Sequence, residues 1–275
     1  KEFAEAEGLA FEYFKPASDS DDDRIAQIEN AIDSGYNVIV MPGFAFANAI
    51  IATADEYPEV KFVALDVSEF DLTGNGWTIP ENVYSAVYQE EISGYFAGYA
   101  AVKLGYTKLG YCGGMAVPAV LRFGYGFLQG ADAAAEELGT DIGIKYTYGG
   151  QFFGDATITA KMEGWYSEGT EVVFACGGGI YTSALEAAVN NNAHVIGVDV
   201  DQSSLGADYI NGDNDKTKLG YNPFLTSAYK GLANSVSTTL GLVKDGQWDT
   251  VGGKFSTLGL TEGDYVGIPT NESAW

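Results

Sequence analysis

The chain has 275 residues and a formal net charge of −24, from 38 Asp and Glu against 14 Lys and Arg, and its arginines are Arg24 and Arg122. A surface for a nucleic-acid duplex or an anionic bilayer needs clustered cations, so this balance excludes both partners. With 46% hydrophobic and 19% charged residues the chain is a globule with a sizeable core, long enough for two lobes or one large domain.

The sequence opens at Lys1 inside a helical pattern, with no initiator Met and no signal peptide, which reads as a processed, truncated or partial N-terminus. No apolar run approaches the roughly 18 residues that span a bilayer. Apolar, largely β-branched runs predict strands over 9–14, 38–41, 60–65, 83–87, 108–112, 142–148, 172–175 and 194–198. Amphipathic or small-residue stretches between them predict helices over 22–34, 46–56, 90–103, 119–138, 157–168, 181–191 and 223–244. This alternation is that of a doubly wound α/β protein with parallel sheets. One series of units ends near Gly105, giving a first lobe of 1–105 to which 223–250 returns. The second lobe is then 106–222, with 251–275 partly returning to it. Such sheets bind ligands outside the carboxyl ends of their strands, which predicts a cleft between the lobes.

The strand ends carry the candidate groups. Gly43 and Phe44 follow the second strand, where a glycine lets amides approach a ligand and an aromatic ring can stack; a tight turn with buried Phe is the other reading. Asp66 and Asp199 each follow a strand directly and can accept hydrogen bonds from sugar hydroxyls, or can serve as a cap or solvated loop acid. Gly177, Gly178 and Gly179 lead into a helix, so their amides can meet a neutral acceptor, or the glycines are there for close packing. The spacing fits neither a Walker loop nor a dinucleotide fingerprint. In Gly149–Asp155, Phe153 is the ring suited to stacking and Asp155 the cap of the next helix.

Catalytic and metal chemistry find little support. The single histidine, His194, begins its strand and so stands at the edge opposite the cleft, which disfavours nucleophilic machinery. Cys112 and Cys176 read as free buried thiols, or as a bridge if their strands are neighbours. Residues 19–23 resemble the start of a calcium loop, but Arg24 and Asn30 stand where glycine and glutamate are needed, so a solvated helix entry is expected. No cofactor and no metal are expected.

Taken in order, Gly43-Phe44-Ala45-Phe46, residues 60–66, 90–101 and 113–131, Phe153-Gly154-Asp155, Gly177–Gly179, residues 197–202 (GVDVDQ) and 226–230 (TSAYK) resemble the signatures of the basic membrane lipoprotein family, the solute-binding lipoproteins of ABC importers. The resemblance implies a type I periplasmic-binding fold whose two lobes close on a purine nucleoside such as inosine, guanosine or adenosine, without chemistry. It also implies that Phe153 stacks on the base, that Asp199 and the 177–179 amides meet the ribose, that Asp66 approaches the ligand, and that Lys230 donates to it. Lys230 by itself reads as a surface helix charge, and Arg122 as structural, bonding carbonyls or a carboxylate near the hinge. The family's first strand, with ligand-contacting residues, has no counterpart here, so a first lobe lacking that strand is expected. The implied setting is extracytoplasmic, a monomer held to the membrane only through an N-terminal lipid anchor and serving an ABC permease. A sugar or other small-metabolite receptor of the same fold is the alternative, and a nucleoside-cleaving enzyme a third.

Overall fold

A chain that alternates strand and helix returns each strand in the same direction, so its sheets are parallel and buried on both faces. The computed structural model describes residues 1–270. In chain order the elements are α1 (Glu2–Glu7), α2 (Asp21–Asp33), β1 (Val38–Pro42), α3 (Ala47–Thr53), β2 (Lys61–Leu65), α4 (Glu69–Thr73), β3 (Val83–Tyr88), α5 (Glu90–Lys103), β4 (Lys108–Gly113) and α6 (Pro118–Leu138). They continue with β5 (Gly143–Tyr148), α7 (Ala156–Ser167), β6 (Val172–Cys176), α8 (Tyr181–Asn191), β7 (His194–Asp199), α9 (Asp208–Asn211), β8 (Phe224–Lys230), α10 (Leu232–Lys244), β9 (Lys254–Leu258) and β10 (Val266–Gly267).

Two compact units result. The first comprises 1–88 and 232–258, the second 89–231 and, among the described residues, 259–270. In the first, β1-β2-β3-β9 form a parallel sheet over a core that includes Ile50, Phe62, Ala64 and Leu72. In the second, the strand order is β10-β8-β7-β6-β4-β5, parallel except for β10 against β8. One face of that sheet buries Phe123, Phe127 and Phe174 under α5 and α6, and the other buries Met162, Tyr166 and Ala187 under α7 and α8. The doubly wound α/β architecture expected from the sequence is present.

Three expectations need correction. Residues 9–14 form no strand; Leu9, Phe11 and Tyr13 are exposed in an irregular segment, because a strand needs a neighbour for its amides and no described strand pairs with it. The stretch 223–244 is not one helix. Its first part is β8, pairing in parallel with β7, and the helix starts only after Gly231. The first boundary lies at Tyr88/Gln89 and not near Gly105, with returns at 231/232 and 258/259. Residues 271–275, assigned above to the second lobe, lie outside the described residues.

Glycines on α5 and α6 explain that boundary. A Cβ at Gly94 or Gly98 would lie 2.2 and 2.1 Å from the carbonyl oxygens of Phe123 and Phe127, and one at Gly126 or Gly130 would lie 2.0 and 1.9 Å from those of Glu91 and Tyr95. The two helices meet backbone to backbone, so α5 packs within the second unit. Their far ends are joined by Tyr99 Oη donating to Glu137 at 2.7 Å, and the Tyr95 and Tyr99 rings stack 6.0 Å apart.

The register also decides the cysteines. Cys112 pairs with Ala175 and Gly113 with Cys176, so the thiols are one position out of step and fall on opposite faces of the sheet. Both are free and buried. His194 stands at the amino end of β7, its ring 5.4 Å from that of Tyr106 and 4.8 Å from that of Tyr221. Burial lowers its pKa below the usual 6.5.

Two outcomes test this packing. Gly130→Ala should lower stability by about 1–3 kcal/mol, seen as a smaller urea midpoint, while Gly164→Ala on the open face of α7 should raise it by about 0.5–1 kcal/mol. Because the unfolded chain protonates His194 more readily than the folded one, the stability it contributes is present above pH 6.5 and lost as pH falls below it. The difference in urea midpoint between wild type and His194→Phe should therefore shift in favour of the variant on acidification, and a pH-independent difference would refute it.

Candidate functional site

Parallel strands deliver their carboxyl ends to one edge, and in the second unit that edge gathers Phe153, Gly177–Gly179, Asp199 and Lys230. The Phe153 ring is 61% exposed, and its backbone is fixed by a parallel bridge to Gly179. Asp155 caps α7, its Oδ1 accepting from the Ile158 amide at 2.8 Å, so it serves the helix as expected. The glycine turn is only partly available for a ligand. Gly177 and Gly178 have φ of 143° and 50°, while the Gly179 amide is engaged, donating to the Phe152 carbonyl at 2.7 Å.

Asp199 ends β7 with φ 69°, and the Val200 amide donates to the Val198 carbonyl at 2.8 Å, which makes a γ-turn centred on the aspartate. A non-glycine residue in this conformation costs about 1–3 kcal/mol, a cost that surrounding structure must offset. The side chain is 34% exposed, and Lys230 Nζ lies 3.0 Å from its Oδ1. Lys230 itself is buried, with its ammonium 5.9 Å from the centroid of the Phe123 ring. It is a strand-end residue, not the surface helix charge that the sequence suggested. β8 is held in place by Ser93 of α5, whose Oγ donates to the Tyr229 carbonyl and accepts from the Gly267 amide of β10, both at 2.8 Å.

In the first unit, Phe44 is 40% exposed in the short 3-10 turn Phe44–Phe46 after β1, and Gly43 before it has φ 122°. Phe46 instead packs into the core under the Arg24 guanidinium, 5.7 Å away. Asp66 follows β2 with φ 62°, its amide donating to the Ala86 carbonyl at 2.8 Å. The acidic stretch 19–23 is a helix entry: the Ser20 hydroxyl caps α2 by accepting from the Asp23 amide, and Arg24 pairs with Asp19 and Asp21.

In the second unit one expectation is met and one feature had no signal in the sequence. The carboxylate of Glu90, without solvent exposure, accepts from Arg122 Nε at 2.5 Å, the kind of carboxylate bond expected of Arg122. Gln202, 7% exposed, folds back to accept from the Val198 amide at 3.1 Å, a role for which the pattern of GVDVDQ carried no signal. A groove of about 470 Å³ runs along α7 and α8, lined by Asp155, Thr159, Glu163 and Glu186. Burial pushes the Cys112 thiol up to about 11 and the Cys176 thiol higher still, so neither is a nucleophile at neutral pH. Among the described residues no cluster of three or more His, Cys, Asp or Glu side chains could hold a metal ion, and no helix is long and apolar enough to cross a membrane.

The family model for Bmp, described as ABC transporter substrate-binding protein PnrA-like, matches residues 1–274. The chain is 32% identical over 268 residues to the ABC transporter nucleoside-binding protein BmpA of Lactococcus lactis subsp. cremoris, covering 93% of this chain and 70% of that protein. It is 29% identical over 253 residues to basic membrane protein B of Borreliella burgdorferi, covering 89% of this chain and 66% of that protein. Among solved structures, an ABC transporter solute-binding protein from Aeropyrum pernix K1 superposes with a TM-score of 0.74 at 23% identity, over 98% of this chain and 70% of that one. That likeness carries the fold alone, and the fold is the type I periplasmic-binding fold expected from the sequence. With parallel sheets, strand-end polar groups and the family signatures all in place, the chain belongs to the Bmp family of PnrA-like ABC transporter substrate-binding proteins.

Proposed function

We propose that this protein binds a purine nucleoside such as inosine, guanosine or adenosine and presents it to an ABC permease without chemical change. One observation carries the reading. A strained, partly exposed carboxylate at Asp199, oriented by Lys230, shares a strand edge with the exposed ring of Phe153. A carboxylate accepts from vicinal hydroxyls, and an exposed ring offers a planar base a stacking face that adds about 0.5–1.5 kcal/mol beyond area burial. In this reading Lys230 donates to the ligand, the Gly177 and Gly178 amides approach the ribose, and Gly179 shapes the turn. Phe44 and Asp66 of the first unit are proposed as further ligand contacts. The 32% identity to a relative named a nucleoside-binding protein supports the choice of ligand class. Family membership and the Borreliella relative's name support an extracytoplasmic location; a monomer tethered to the cell membrane by an N-terminal lipid is part of the same proposal.

Calorimetry with inosine, guanosine, adenosine, free bases and ribose tests the proposal. Asp199→Asn should weaken nucleoside binding about ten-fold or more, because a charged acceptor in a desolvated site becomes a neutral one. Phe153→Ala should weaken inosine much more than ribose. Ribose binding as tightly as any nucleoside would assign the protein to sugars, and chromatography showing hydrolysis of inosine would make it an enzyme.

A further inference from the structure

Among the described residues, the non-glycine positions with positive φ include Asn192, which caps α8, and Asn214 and Asp215 in a polar turn; the other two are Asp66 and Asp199 at strand ends. Each of these aspartates has a fully buried serine beside it, at the same register. Ser85 of β3 pairs with Ala64, two residues before Asp66, and Ser227 of β8 pairs with Gly197, two residues before Asp199. Both hydroxyls bind the turn just beyond the aspartate. Ser85 Oγ donates to the Val67 carbonyl at 2.6 Å, and Ser227 Oγ accepts from the Gln202 amide at 3.0 Å.

In the second unit the brace is double. The Gln202 side chain returns across the turn so that its Oε1 accepts from the Val198 amide at 3.1 Å, closing a loop around Asp199. Room for it exists because residue 197 is glycine: a Cβ there would lie 2.5 Å from Gln202 Oε1 and 2.6 Å from Ser227 Oγ. A buried hydroxyl in a strand is unfavourable unless its hydrogen bonds are made, and here those bonds go to the turn and not to another side chain. We propose that Ser85, Ser227 and Gln202 are positioning residues that hold the strand-end carboxylates Asp66 and Asp199 in their left-handed backbone conformation before ligand arrives. The gain is preorganisation, since a carboxylate already aimed need not be ordered by the ligand. This inference rests on the two aspartates being ligand contacts, as in the function proposed above.

The test is a set of double-mutant cycles read by calorimetry with inosine. Ser227→Ala and Gln202→Met should each weaken binding about ten-fold in the wild-type background and less than about two-fold once Asp199→Asn is present. Ser85→Ala should show the same dependence on Asp66→Asn and none on Asp199→Asn. Equal losses in both backgrounds would mean that these residues do not act through the aspartates, and would overturn the inference. A readout without ligand separates this from the function itself. In the free protein, Gln202→Met should speed hydrogen exchange of the Val198 amide about ten-fold and move the Asp199 Cα chemical shift away from its left-handed value. Unchanged exchange and shift would overturn the brace, even if nucleosides bind. If wild type binds no nucleoside but the shift moves as stated, the brace stands and the ligand assignment falls. Ser227→Ala, which removes one oxygen and adds nothing, provides the same readouts should Gln202→Met fold poorly.

Discussion

The second unit depends on one close approach, the glycine-lined contact of α5 with α6, where the space for four side chains is taken by the facing backbone. Because no Cβ fits, the two helices can share only this separation and this register. That placement carries Ser93 to the end of β8 and the short β10, where one hydroxyl ties both strands to α5. It also sets Glu90 against Arg122 at the starts of the two helices. β8 then ends at Lys230, and Lys230 meets Asp199. The orientation of the proposed binding carboxylate is thus inherited, link by link, from a helix contact whose closest approach is lined by glycine.

Charge is used sparingly in this architecture. In a chain of net −24, the buried cation Lys230 and the half-buried Arg122 each stand against a carboxylate of the second unit. Burying such pairs seldom adds net stability, because desolvation cancels much of the attraction, but removing one partner is costly. Their value is directional: each fixes where a charge sits at a strand or helix end. The remaining acidity lies mostly on the surface, where it favours solubility and leaves ligand choice to the strand edge.

Much of the fold was legible because its signals are local and redundant. Runs such as Val172–Cys176 and His194–Asp199 are rich in β-branched residues, are followed by glycine or end in aspartate, and lead into helical stretches, so strand, edge and turn agree. Asp199 and Phe153 could be placed at the edge for that reason. The failures arose where the outcome depends on a distant neighbour. Residues 9–14 have strand-like composition but no described strand beside them. Phe224–Lys230 has small and hydroxyl residues that suit a helix as well as a strand, and only the open side of β7 decides between them, which is why Lys230 was misplaced. Gln202 and Ser227 lie 25 residues apart and form their bond only once the strands are in register.

The one-residue offset between Cys112 and Cys176 has a kinetic meaning. One thiol lies beneath the layer of α7 and α8, the other beneath that of α5 and α6, and burial holds both in the protonated, unreactive form. An alkylating reagent reaches either sulfur only when its own layer lifts from the sheet. The chain therefore carries a natural pair of clocks, one for each face, that report separately how often the two helical layers open and whether they do so together.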